Sequence, residues 1–167
     1  MNAVVSGARR KVIAAAKQLR KEVDAISFAE PVTHVYNPLR YAWNAHEQYL
    51  SRVNDSGVRV LLLGMNPGPW GMAQTGVPFG EVDAVRNWLG IDVPVKAPEK
   101  MHPKRPVLGF ESKRSEVSGR RLWGLFQERY ADADAFFDEN FVGGSTLNNK
   151  HKRDIDNDFA GISSVSE

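Results

Sequence analysis

The feature that most constrains this chain is the run from Val58 to Gly80: Val-Arg-Val-Leu-Leu-Leu-Gly-Met-Asn-Pro-Gly-Pro-Trp-Gly-Met-Ala-Gln-Thr-Gly-Val-Pro-Phe-Gly. Its character changes at Gly64. Before that glycine stands a short apolar run of β-formers, expected as a strand buried on both faces. From Gly64 onward come five glycines or prolines in eight residues, so the strand empties into a tight turn poor in side chains. Gly64, Gly68 and Gly71 allow close approach of the backbone to a ligand, while Pro67 and Pro69 restrict the loop to one shape. Asn66 is then expected at the carboxyl end of a strand, where open α/β sheets bind ligands. Spacing alone leaves an irregular connection and a binding loop equally open.

Composition narrows the class. The chain has 167 residues, 42% hydrophobic and 25% charged, which suits one globular domain rather than a disordered or fibrous protein. No apolar run reaches the eighteen or so residues that cross a bilayer, and the first residues lack a signal-peptide core, so neither membrane nor secretion is expected. Cysteine is absent, which excludes disulfides, a thiolate nucleophile and a four-cysteine iron–sulfur cluster. Four scattered histidines offer no compact metal site, and no cofactor is expected.

Apolar residues at Val12, Ala16, Leu19, Val23 and Ile26 predict a helix within residues 6–29, with Ser6 as its cap. Aromatic residues between Phe28 and Leu50 read as core, with a short helix from Leu39, and His34 and His46 read as structural. After the glycine-rich turn, Val82, Val85 and Leu89 predict a helix that Gly90 ends and whose amino terminus near Gly80 and Glu81 faces the loop. From Lys96 to Arg121 the basic residues, Lys104, Arg105, Lys113 and Arg114 among them, outnumber the acidic ones, and prolines make the first half an ordered non-helical loop. Such a segment can lie along a phosphate backbone or be a solvated surface loop. Ser118 is expected to cap a helix carrying Leu122, Leu125, Phe126 and Tyr130, followed by a strand at Phe141-Val142.

The uninterrupted run Gly64-Met65-Asn66-Pro67-Gly68-Pro69-Trp70-Gly71-Met72-Ala73-Gln74-Thr75-Gly76-Val77-Pro78-Phe79-Gly80 closely resembles the first catalytic motif of the single-strand-selective monofunctional uracil-DNA glycosylases. Glu30-Pro31-Val32, Tyr36-Asn37-Pro38, Tyr41-Ala42-Trp43 with His46, His102-Pro103-Lys104-Arg105-Pro106-Val107-Leu108-Gly109 and Ser115-Glu116-Val117-Ser118-Gly119 extend the likeness across about residues 28–142. The resemblance implies an α/β, three-layer uracil-DNA glycosylase-like fold around a parallel sheet. It further implies removal of uracil, and of related oxidised pyrimidines, from DNA in base-excision repair, without metal or organic cofactor.

By the same resemblance Asn66 positions the attacking water, the Phe79 ring stacks on uracil, the Met65 main chain faces the pyrimidine edge, and Gly68 with Met72 forms the neighbouring wall. Lys104, Arg105, Lys113 and Arg114 would contact DNA. The implied partner is single- or double-stranded DNA containing uracil, bound by a monomer, in the nucleus of a eukaryote or the cytoplasm of a bacterium.

Beyond Val142 the likeness stops. The family continues into a second asparagine that reads uracil and, near its carboxyl end, a His-Pro-Ser-Pro-type loop; this chain reads Gly-Gly-Ser-Thr-Leu-Asn-Asn-Lys-His-Lys-Arg. Residues 1–142 are therefore expected to form the amino-terminal part of the glycosylase domain, incomplete on its carboxyl side, and 143–167 a divergent, disordered or loosely docked tail of a truncated or alternatively spliced product. Asn148, Asn149 and His151 take no role, and His102 aligns with an internal loop rather than the catalytic histidine. Two rival readings follow: a catalytically dead DNA-binding fragment, and a nucleotide- or small-molecule-binding α/β protein, the latter without a Gly-x-Gly-x-x-Gly or Walker pattern.

Overall fold

A computed structural model describes residues 7–139, 141–145 and 163–165. The elements are α1 (Ala8–Asp24), β1 (His34–Tyr36), α2 (Pro38–Tyr41), α3 (Trp43–Leu50), β2 (Val60–Gly64), α4 (Met72–Thr75), α5 (Val117–Arg129), α6 (Ala133–Asp138), β3 (Phe141–Ser145) and β4 (Ser163–Val165). A π-helical turn at Ala84–Trp88 and a 3₁₀ turn at Gly109–Glu111 complete the regular structure.

The chain is α/β. β2 and β3 run parallel, with Val60 opposite Phe141 and Gly64 opposite Ser145, so the expected strand at 141–142 extends through Gly143 and Gly144. β1 pairs antiparallel with β4, His34 opposite Val165. Most of the expected tail, including Asn148, Asn149 and His151, lies outside the described residues, as does Ser6.

β2 corrects one expectation. Among the described residues it is not buried on both faces: Leu61 and Leu63 are each 58% exposed while Val60, Leu62 and Gly64 alternate toward the interior. An apolar run by itself cannot distinguish a strand covered on two faces from one covered on one, because the pattern records the side chains and not the layer that meets them.

The core lies on the covered face. Trp123, Tyr49, Phe136, Leu89, Ile91 and Val85 are fully buried there, and Phe126, Tyr130, Phe137 and Phe141 join them in edge-to-face and tilted contacts. The inward side of α5 is Gly119, Trp123 and Phe126, whereas Leu125 is exposed, so the indole and not the leucines anchors this helix. Its cap is Glu116 rather than Ser118: the carboxylate accepts Ser118 N–H at 3.1 Å and also Gly119 N–H. His46 is structural, as expected. It is buried, its Nδ1–H donates to the Gly76 carbonyl at 2.7 Å, and burial lowers its pKa to about 4.

Among the described residues no helix is long and apolar enough to cross a membrane, and no group of three His, Cys, Asp or Glu could hold a metal ion.

Candidate functional site

The turn after β2 is rigid for reasons visible residue by residue. Gly71 N–H and Ala73 N–H both donate to the Gly68 carbonyl, at 3.2 and 3.0 Å, and Gly76 closes α4 in the left-handed region at φ 76°. Thr75 Oγ1–H donates to the Gly80 carbonyl at 3.0 Å, folding the end of the motif back on its middle. Phe79 is the one non-glycine residue with positive φ among the described residues, at 53°. Its carbonyl accepts Trp123 Nε1–H at 2.9 Å and Glu81 N–H at 2.7 Å, two bonds that hold an otherwise unfavourable backbone.

The consequence is the position of the Phe79 ring. It lies over the end of β2 and the middle of β3: a Cβ on Gly64 would stand 3.2 Å from Phe79 Cζ, and one on Gly143 would stand 3.4 Å from Cδ2. Strand glycines thus make the floor on which the ring rests. Above it is a cavity of about 360 Å³ lined by Met65, Asn66, Gly68, Met72 and Phe79, together with Pro69, Glu116 and Gly144. All five residues expected at the base-binding site from sequence share this one cavity. Asn66 Nδ2–H donates weakly to the Pro67 carbonyl at 3.4 Å, and no described donor reaches its side-chain oxygen, which is left to accept from a ligand or water.

The basic residues gather separately. Lys104, Arg105, Lys113 and Arg114 line a second cavity of about 660 Å³ around Trp70, the residue directly after Pro69. The Arg114 guanidinium carbon is 4.4 Å from the Trp70 ring centre and that of Arg105 is 6.0 Å away. The loop that carries Lys104 and Arg105 is itself pinned, since the Tyr36 hydroxyl accepts His102 N–H at 2.6 Å and donates to the Arg105 carbonyl at 2.9 Å. His102 is buried beneath that loop, its Nδ1 accepting Lys104 N–H at 3.1 Å, and does not line the first cavity.

Three residues escaped the sequence reading. Glu116 crosses the glycine turn: a Cβ on Gly68 or Gly71 would meet its Cγ at 3.0 or 2.7 Å. The capping pattern offered no signal, since glutamate is an uncommon N-cap. Gln74 is fully buried and uses its whole amide, Nε2 donating to the Pro69 and Pro106 carbonyls at 2.8 and 3.0 Å, Oε1 accepting Leu108 and Gly109 N–H at 2.7 and 3.2 Å. That side chain couples the glycine turn to the basic loop. Trp70 gives no signal in the sequence, since one aromatic in a turn carries no periodicity. The π-helical turn also departs from expectation: Glu81 caps it through Ala84 N–H at 2.9 Å while accepting Ser115 Oγ–H at 2.8 Å, and the helix start that lines the cavity is that of α5.

Fold and site together define an α/β protein that presents an amide and an aromatic ring to one pocket, beside a cationic surface. No family model matches the chain. Over 125 residues, 75% of its length, the chain is 53% identical to proteins of Mus musculus, Bos taurus and Rattus norvegicus, each named a single-strand selective monofunctional uracil-DNA glycosylase. That identity places the matched region in the family of single-strand selective monofunctional uracil-DNA glycosylases. The chain spans about half the length of these relatives, 45%, 46% and 45% respectively.

Proposed function

We propose that this chain is a monofunctional DNA glycosylase that hydrolyses the N-glycosidic bond of uracil in DNA as the first step of base-excision repair. The observation that carries the reading is the shared cavity of Asn66 and Phe79 at the carboxyl end of β2. Extrusion of a base costs a few kcal/mol and is cheapest from a single strand. Phe79, seated on strand glycines, would stack on the extruded uracil and offset that cost. Met65, Gly68 and Met72 would close around the ring's edges, and Lys104, Arg105, Lys113 and Arg114 would hold the strand's phosphates.

Breaking the bond between C1′ and N1 sends its electron pair to the base and leaves positive charge on the sugar; water then adds to C1′, and the proton it loses passes through solvent to the uracil anion, which leaves as neutral uracil. Water therefore needs placement more than a strong base. Asn66 supplies it through its side-chain oxygen. Among the described residues lining the cavity there is no lysine to form a Schiff base with the sugar, which fits hydrolysis without strand cleavage. The three-layer arrangement around the parallel sheet and action as a monomer belong to the same proposal.

The test is uracil release from a single-stranded oligonucleotide, read as alkali-labile abasic product. Asn66→Ala is expected to lower the single-turnover rate about 100-fold or more, the scale on which loss of positioning acts. An unchanged rate in that variant, or no uracil release by the parent chain, would overturn the proposal; the second result together with DNA binding would favour a catalytically dead DNA-binding fragment.

A further inference from the structure

The second cavity does more than collect positive charge. We infer that Trp70, with Arg105 and Arg114, forms a stacking subsite for the nucleobase adjoining the extruded one, and that this subsite takes its base from single-stranded rather than duplex DNA. The inference rests on the nucleic-acid reading of the neighbouring Asn66–Phe79 cavity.

Three observations converge on it. Pro69 lines the first cavity and Trp70 the second, so the two sites are one residue apart on a loop fixed at its base by Gln74. The linings of the two cavities are thus contiguous along the chain, and a strand with one base in the first cavity runs past the second.

Next is the chemistry of the lining. The Arg114 and Arg105 guanidinium groups lie over the Trp70 ring, at 4.4 and 6.0 Å from its centre, so indole and guanidinium planes together line the cavity with surfaces on which a base can stack and with planar donors for a phosphate. At about 660 Å³ the cavity has space for a nucleotide.

The third is charge balance. Among the described residues, Lys104, Arg105, Lys113 and Arg114 make no ion pair, whereas Glu111, the one acid at the cavity, faces Arg86 at 3.9 Å. Arg–Trp contacts that served only to hold the loop to itself would need neither the two lysines nor the open volume.

The strand preference follows from stacking. In a duplex the neighbour of an extruded base stays paired to its partner strand and held at its place in the helix, so it cannot turn toward Trp70. In a single strand no pairing holds it, and an aromatic platform accepts any base because all four have a π-face.

The experiment compares single-stranded oligonucleotides with a 2′-fluoro-2′-deoxyuridine target, which resists cleavage, flanked either by thymines or by abasic residues. Binding is followed by fluorescence anisotropy at fixed salt. The full chain is expected to prefer the thymine-flanked strand by about 5- to 150-fold, the span of one base–aromatic stack. Trp70→Ala should bind both strands alike, Trp70→Phe should keep most of the preference, and the Trp70→Ala effect on a matching duplex should stay within twofold.

Absence of a flanking-base preference in the full chain would overturn the inference, as would a preference that survives in Trp70→Ala. Should Trp70→Ala fail to fold, the parent chain's preference and its retention in Trp70→Phe decide the matter. Uracil release distinguishes the two claims: release without dependence on Trp70 sinks this inference alone, and a Trp70-dependent preference without release sinks the glycosylase proposal alone.

Discussion

Gly119 and Gly124 lie on the same helix, α5, and the structure predicts opposite outcomes when each becomes alanine. In an unconstrained helix interior either change would stabilise by up to about 1 kcal/mol, since alanine is the better helix former. At Gly124 nothing lies within 4 Å of an added Cβ, so that gain should appear in full. At Gly119 the Cβ would stand 2.1 Å from the Phe79 carbonyl oxygen and 2.9 Å from its carbon, so helix and loop must part by ~0.9 Å to restore a 3.0 Å contact.

Parting them strains packing at a cost of about 1–3 kcal/mol and loosens the Trp123–Phe79 hydrogen bond, worth about 1 kcal/mol. Against the propensity gain, the net for Gly119→Ala is a loss of roughly 2 kcal/mol, or a fall in Tm of roughly 4–8 °C for a chain of this size. Gly124→Ala should raise Tm by roughly 2–4 °C. Thermal unfolding followed by circular dichroism reads both. Because the Phe79 carbonyl anchors the ring proposed to stack on uracil, Gly119→Ala should, under that proposal, also weaken uracil release more than its stability loss explains. Shifts of the same sign in the two variants would refute the claim that the start of α5 is pressed against the Phe79 backbone.

Two further outcomes follow from the charges. His46 titrates at about 4 when folded, depressed chiefly by burial, against about 6.5 unfolded, so the unfolded chain binds the extra proton first as pH falls. Its contribution is complete above pH 6.5 and is lost between about 6.5 and 4, amounting to roughly 3 kcal/mol; urea midpoints across this window should decline in the parent chain and flatten in His46→Gln, and an equal decline in both would exclude His46 as the cause. If Lys104, Arg105, Lys113 and Arg114 each neutralise one phosphate, log affinity for a single strand should fall with log salt at a slope of about −2.8, and each change to Gln should reduce the magnitude by about 0.7. A slope unaltered by all four changes would place the phosphate contacts elsewhere.

Much of the site could be read along the chain because it is local. Asn66, Gly68, Met72 and Phe79 lie within one short run whose glycines and prolines permit few backbone shapes, so nearness in sequence becomes nearness in space. The basic residues at 104–114 were equally visible as a change in charge. What connects these parts was not visible, since it depends on residues far apart in the chain. Gln74 reaches Pro106 and Leu108 through its amide, Trp123 holds the Phe79 carbonyl, and Gly143 lets the ring settle on β3.

Sequence by itself determined the composition of the turn, the type of chemistry its amide and ring can support, and the presence of cations to meet a phosphate backbone. Tertiary structure decided that the ring and the amide share one pocket, that the cations surround Trp70, and that β2 is covered on one face alone among the described residues. The physical reason is that a side chain's identity sets what it can bond, while its partners are chosen by long-range packing. Burial of Trp123, Phe136 and Tyr49 against the strands brings remote segments to the same few ångströms.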